Sequence, residues 1–201
     1  MADAEKGRPN QKSRTRKDLL RAAARLMKEG KHPTLEEVAE AAMVSRATAY
    51  RYFSGIEALL VEAALDVAMP DDTFFAGDGS VDAAARVLRA DAAVSAVVLE
   101  NEPALRAMLV HSLQRRMDEE GLPVRQNRRT PLIEQALAPV RGTMPAADFA
   151  RLAQALALVI GTESMIVFRD VLAIEDDEAA EVRAWMIRAL VAAALEGQAK
   201  P

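Results

Sequence analysis

The side chains whose types and spacing point most directly to chemistry lie in residues 34–53, TLEEVAEAAMVSRATAYRYF. A helix of about two turns is predicted first, then a short break, then a second short helix. Small Ala39 sits where two helices would cross closely. Val44, Ala49 and Phe53 can pack the second helix on the first. That arrangement leaves Arg46, Thr48, Tyr50, Arg51 and Tyr52 on the open side. These side chains can reach phosphate oxygens and base edges. A helix-turn-helix lays its second helix in the major groove, led by its N-terminal residues. Here those are Ser45, Arg46 and Thr48. The same spacing also suits an ordinary helical hairpin with a polar surface.

Flanking elements must hold these residues in place. Residues 1–12, MADAEKGRPNQK, are polar, contain Gly7 and Pro9, and are expected to be a disordered basic arm. From Ser13, Leu19, Leu20, Ala23, Leu26 and Met27 fall on one helical stripe that Gly30 and Pro33 end. Thr34 and Glu37 have capping-box spacing, as do Ser54 and Glu57. The second box opens a helix through Leu59, Leu60, Ala63, Ala64 and Val67. Longer helices are predicted at 81–100, 103–118, 131–141, 148–173 and 178–196, punctuated by Pro and Gly. The division expected is an arm at 1–12, a helix-turn-helix domain at 13–60 and a helical body at 61–201. No strand-period run occurs, so the fold class is all-α.

Composition agrees with that class. Hydrophobic residues make up 51% of the 201 and aromatics only 4%, a balance that favours close-packed helices over sheets. The chain has no cysteine, which excludes disulfides, thiolate metal sites and cysteine nucleophiles; a reducing cytoplasm is the expected location. No stretch reads as a membrane span or secretory signal. The net charge is −4, but it is unevenly spread. Residues 1–60 hold 12 Lys/Arg and 8 Asp/Glu, and residues 61–201 hold 14 and 22. A basic end on an acidic body suits a protein that touches a polyanion with one end, as well as a merely solvated tail.

Enzyme chemistry lacks a constellation. His32 and His111 cannot make a multi-histidine metal site. The single E-x-x-H, Glu29 to His32, spans the break at Gly30. A di-metal carboxylate bundle needs two such pairs on continuous helices. Neither a phosphate-binding glycine loop nor a nucleophile elbow is present. No cofactor and no metal are expected. The readings left are a sequence-specific regulator, a helical protein-interaction adaptor without DNA binding, and a helical enzyme with an unrecognised site.

Residues 14–68 resemble the DNA-binding domain of the TetR family of bacterial transcriptional regulators. The resemblance rests on the apolar first helix, T-x-x-E-x-V-A-x-x-A at 34–42, V-S-x-x-T-x-Y-x-x-F at 44–53, and E-A-L-L at 57–60. It implies a homodimer that binds a double-stranded DNA operator and represses until a small-molecule effector releases it. It also implies residue roles. Thr34 and Ser45 open helices whose free N–H groups favour phosphate. Arg46 and Thr48 approach base edges. Tyr50 and Tyr52 bond the DNA backbone, and Phe53 is core. Arg14 and Lys17 reach flanking phosphate or the minor groove. Arg51 either touches DNA or covers the surface. Two positions depart from the family: Met43 stands where glycine is usual in the turn, and Ile56 where lysine is common.

The resemblance extends expectations to the body. Ala153, Ala157, Gly161 and Ser164 recur every three or four residues along the predicted helix 148–173. Ala189, Ala192 and Ala193 make a similar patch on the last helix. Small side chains let helices approach closely, either within one chain or between two protomers. Polar residues inside apolar helices, His111, Arg115 and Glu163, together with Met108 and the sole tryptophan, Trp185, are the candidate lining of an effector pocket. A buried polar group needs a partner. That partner is a ligand or another side chain, for example an arginine across a dimer for Glu163.

Overall fold

The computed structural model describes residues 3–118 and 127–197, with the backbone alone for 3–13, 111 and 115–118. Every regular element among the described residues is helical. The chain divides into two compact units. The first comprises residues 1–68 and 101–126, the second 69–100 and 127–201. This differs from the expected cut at 60/61. The fourth helix stays whole, and the sixth joins the N-terminal unit although it lies far along the chain.

The first unit contains α1 (Asp3–Lys28), α2 (Leu35–Ala41), α3 (Arg46–Tyr52), α4 (Ile56–Ala68) and α6 (Glu102–Asp118). Its core joins Leu19, Leu20 and Ala23 of α1 to Val38 and Ala39 of α2, Ala49 of α3, Phe53, and Leu59 and Ala63 of α4. Contrary to the expected disorder, α1 starts at Asp3 and runs through Gly7 and Pro9. Asp3 suits the positive end of the helix dipole, and Ala4, Glu5, Lys6, Gln11 and Lys12 are good helix formers. The stop is as expected. Gly30 adopts φ +74, its N–H bonds Met27 O, and Lys31 N–H bonds Leu26 O, the paired bonds of a left-handed helix end.

A buried ion pair crosses this core. The Arg16 guanidinium bonds the Glu62 carboxylate of α4, donates to Tyr52 O at 3.1 Å, and lies 4.4 Å from the centre of the Phe53 ring. The basic run Lys12, Arg14, Arg16, Lys17 is therefore split. Arg16 points inward, while Arg14 and Lys17 point to solvent.

The second unit contains α5 (Ala83–Glu100), α7 (Arg129–Ala136) with a 3-10 turn at Ala138–Val140, α8 (Ala146–Val159), α9 (Thr162–Ile166) running into a π-helical turn at Val167–Val171, and α10 (Asp176–Glu196). Val87, Val94 and Val98 of α5, Leu132 and Ile133 of α7, Leu152 and Leu156 of α8, and Ile187 and Val191 of α10 are buried. The expected continuous helix 148–173 does not form. Gly161 at φ +125 breaks it, and its two parts meet at a 42° bend. Arg129 occupies the break: it donates to Ala157 O at 3.0 Å and Ile160 O at 2.9 Å, and pairs with Glu163 at 2.7 Å. A cation at the carbonyl end of a helix is favoured by the dipole and satisfies carbonyls that the helix leaves open. Arg86 serves the end of α7 in the same way, donating to Ala136 O at 2.9 Å and Gln135 O at 3.0 Å.

Within the described residues no single helix is long and apolar enough to cross a membrane.

Candidate nucleic-acid interface

Local chemistry sets both ends of the α2–turn–α3 motif. Thr34 caps α2: its hydroxyl accepts from Glu37 N–H at 3.3 Å, and Glu37 returns a bond to Thr34 N–H at 2.7 Å. The Thr34 backbone bond, more than the hydroxyl, holds the Glu37 carboxyl below its ordinary value. The turn then reverses through Met43, which takes φ +56. Its N–H bonds Glu40 O, and Val44 N–H bonds Ala39 O, both at 2.9 Å. This is the same left-handed helix end as at Gly30, built here on a methionine whose side chain is 93% exposed. The departure from glycine leaves the reversal intact and places strain at one residue.

Ser45 caps α3. Its hydroxyl accepts from Thr48 N–H at 3.1 Å and meets the Thr48 hydroxyl at 2.8 Å. Ala49 and Tyr52 turn into the core, while Arg46, Ala47, Tyr50 and Arg51 face solvent and Thr48 is half-buried. The expectation for Tyr52 is overturned. It is 3% exposed, because one residue after Arg51 the helix has rotated its side chain onto α1 and α4; it cannot reach a DNA backbone. Arg51 lies 5.7 Å from the Tyr52 ring centre and covers it.

The two helix starts differ in charge. The first turn of α2 carries Glu36 and Glu37, which fill its positive dipole end and disfavour phosphate beside Thr34. The first turn of α3 carries no acid and begins with Arg46. Tyr50 donates its phenol proton to Glu36 at 2.9 Å. That bond raises the Tyr50 pKa. The Glu36 carboxyl is held below its ordinary value, first by its own backbone N–H and then by Tyr50. At the next element, α4 begins at Ile56, later than a Ser54 cap would give.

On α1, Arg14 and Lys17 belong to a longer stripe. At about 100° per residue, Arg14, Lys17, Arg21, Arg25 and Lys28 fall within roughly 80° of the helix circumference, opposite the buried Leu19 and Ala23. All five are exposed. Arg21, Arg25 and Lys28 are additions to the sequence reading; their spacing of three and four residues was the available signal. Arg25 also donates to Ala41 O at 3.4 Å, at the end of α2.

The other site candidates do not gather in one place. Met108 lines a cleft in the first unit. The side chains of His111 and Arg115 lie outside the described residues. Glu163 is engaged by Arg129 of its own chain, where an arginine across a dimer was one expectation. Trp185 is 69% exposed on α10, so it does not line an enclosed pocket. Of the small-residue stripe, Ala153 and Ser164 are buried and Ala157 and Gly161 half-buried; the bend at Gly161 prevents one shared face. Ala189 and Ala192 are exposed. Among the described residues no group of three or more His, Cys, Asp or Glu could hold a metal ion.

Comparison with known proteins agrees with this geometry. Residues 19–63 match the family described as bacterial regulatory proteins, tetR family. No curated protein and no solved structure gives a match. The matched segment runs from the buried Leu19 of α1 to Ala63 of α4, and so takes in both helices of the motif and the turn at Met43. Residues 19–63 thus carry a segment similar to that of the bacterial regulatory proteins of the tetR family, which supports a DNA-binding transcription regulator.

Proposed function

We propose that the protein is a homodimeric repressor, cytoplasmic, that reads a DNA operator with α3 and leaves it when a small molecule binds. The observation that carries the reading is the two-sidedness of α3. Ala49 and Tyr52 anchor it in the core, while Arg46, Ala47, Tyr50 and Arg51 are presented outward from a capped start at Ser45. A rigid helix with a basic, hydrogen-bonding outer face is what major-groove readout requires. Arg46 and Thr48 approach base edges. Arg14, Lys17, Arg21 and Arg25 supply phosphate contacts.

A single short helix reads few base pairs, and a twofold dimer doubles the site. The second unit offers a surface for pairing. Trp185, Ala189 and Ala192 share one exposed stripe of α10, and Leu158 on α8 is 79% exposed. Exposed apolar side chains of this kind are what a pairing face between two copies would cover. This moves the proposed interface from the buried Ala153 and Ser164 to the outer residues.

The test is selection of duplexes from a random pool at low ionic strength, followed by titration in rising salt. Affinity should fall steeply with salt as counterions are released. Arg46→Ala and Thr48→Ala should each lose about 1–3 kcal/mol of discrimination at particular base pairs. Equal loss on every sequence would reject base reading. A pool that shows no enrichment would reject the operator itself.

A further inference from the structure

Two buried side chains, Ala49 and Tyr52, hold α3 in the core of the first unit. At about 100° per residue, Ala47 lies roughly 170° from their mean direction. It is the residue of α3 that faces most directly away from the core, and it is exposed. The polar side chains around it are anchored elsewhere. Tyr50 donates its phenol proton to Glu36 of α2 at 2.9 Å. The Arg51 guanidinium lies 5.7 Å from the centre of the Tyr52 ring. The Thr48 hydroxyl joins the Ser45 hydroxyl in the helix cap at 2.8 Å. The centre of the presented face is therefore a bare methyl group.

A methyl at that point limits what it can read. A polar base edge pressed against it would give up water and gain no hydrogen bond, which is costly. Among the groups that base pairs present in the major groove, the one apolar group is the C5-methyl of thymine. Contact between the two methyls removes apolar area from water. It also orders no side-chain torsion, since alanine has none to lose.

We infer that Ala47 reads one thymine in each operator half-site through its C5-methyl group. The protein thereby distinguishes thymine from uracil, and 5-methylcytosine from cytosine, at that base pair. The inference rests on the reading of α3 as the helix that enters the major groove. It adds to Arg46 and Thr48 a specificity residue that cannot form a hydrogen bond through its side chain.

The experiment uses the full chain and a duplex enriched from the random pool. Each thymine in one half-site is replaced in turn by uracil, and fluorescence anisotropy measures affinity. One replacement should weaken binding about fourfold, the worth of one buried methyl. At that same position, with guanine opposite, 5-methylcytosine should bind about fourfold tighter than cytosine. Both readouts need only the parent protein. Ala47→Gly should bind the thymine and uracil duplexes equally. An enriched duplex in which no thymine responds to uracil overturns the inference and leaves the DNA reading standing. So does a uracil effect that persists in Ala47→Gly, or 5-methylcytosine that binds no better than cytosine. A pool that enriches nothing overturns the DNA reading and this inference together.

Discussion

The phenol of Tyr50 donates its proton to the Glu36 carboxylate, 2.9 Å away, linking the recognition helix to the helix before it. A phenol has one proton to give, so Tyr50 must leave Glu36 before it can donate to a phosphate. Glu36 also places a negative charge beside the surface that would meet DNA. Glu36→Ala should raise affinity for duplex of any sequence by several-fold, and should bring the Tyr50 pKa down toward its ordinary value of 10.0. Ultraviolet titration reads that shift, since the chain has only two tyrosines and the other, Tyr52, is buried. Weaker binding of Glu36→Ala would show that the carboxylate helps DNA recognition rather than opposing it.

Met43 should be improvable. A side chain at φ +56 is strained by about 1 kcal/mol relative to glycine, and its exposed position means that little packing is lost on removal. Met43→Gly should therefore raise the urea midpoint by a net gain somewhat below that figure, because glycine also gives the unfolded chain more freedom. A fall in the midpoint would mean that the methionine contributes contacts which its exposure does not reveal.

Gly161 should tolerate no side chain. A Cβ there would meet the Arg129 guanidinium at 2.6 Å, on a backbone of φ +125. Moving Arg129 aside gives up its bonds to Ala157 O and Ile160 O. Gly161→Ala should destabilise the protein by roughly 2–4 kcal/mol, combining backbone strain with the lost charge-assisted bonds. Denaturant unfolding of Gly161→Ala and Arg129→Ala would show a shared origin if the double variant falls short of their sum.

The Asp91–Arg183 pair should give a pH signature. Burial raises the Asp91 pKa, against the opposing pull of Arg183. A carboxyl whose folded value is raised binds protons more tightly in the native state. Its stabilising contribution is full below the ordinary value of 3.8 and is lost as pH rises through the folded value. Arg183→Ala leaves a buried carboxylate without its cation and should destabilise by about 3–5 kcal/mol at neutral pH. The penalty should shrink in acid, where Asp91 is neutral. Urea midpoints at two pH values test this, and an equal penalty at both would exclude a buried charge as the cause.

The parts legible in sequence are those fixed by neighbours a few residues apart. The Thr34 capping box, the Ser45 cap, the stop at Gly30 and the inward set of Leu19, Leu20, Ala23 and Leu35 all follow from local spacing. Met43, standing where glycine is usual, marked the turn, but only the structure gives its φ of +56. The misreadings have a common cause. Nothing near Arg16 in sequence marks it as buried, because its partner, Glu62, is 46 residues away. Tyr52 looked exposed because its burial depends on where α1 and α4 lie. Gly161 fitted a helical period perfectly well, since periodicity records side-chain size and carries no record of φ.

Three arginines, Arg16, Arg86 and Arg129, each seat a guanidinium on the carbonyl tip of another helix while also meeting a carboxylate. Such a seat needs several N–H groups fanned out within one plane, which an ammonium cannot offer. Exchange of any of these three for lysine would keep the charge and surrender the joint. The helices of this protein are thus fastened end to side by directional bonds as well as by greasy contact along their lengths, and a load on α3 passes directly to α1.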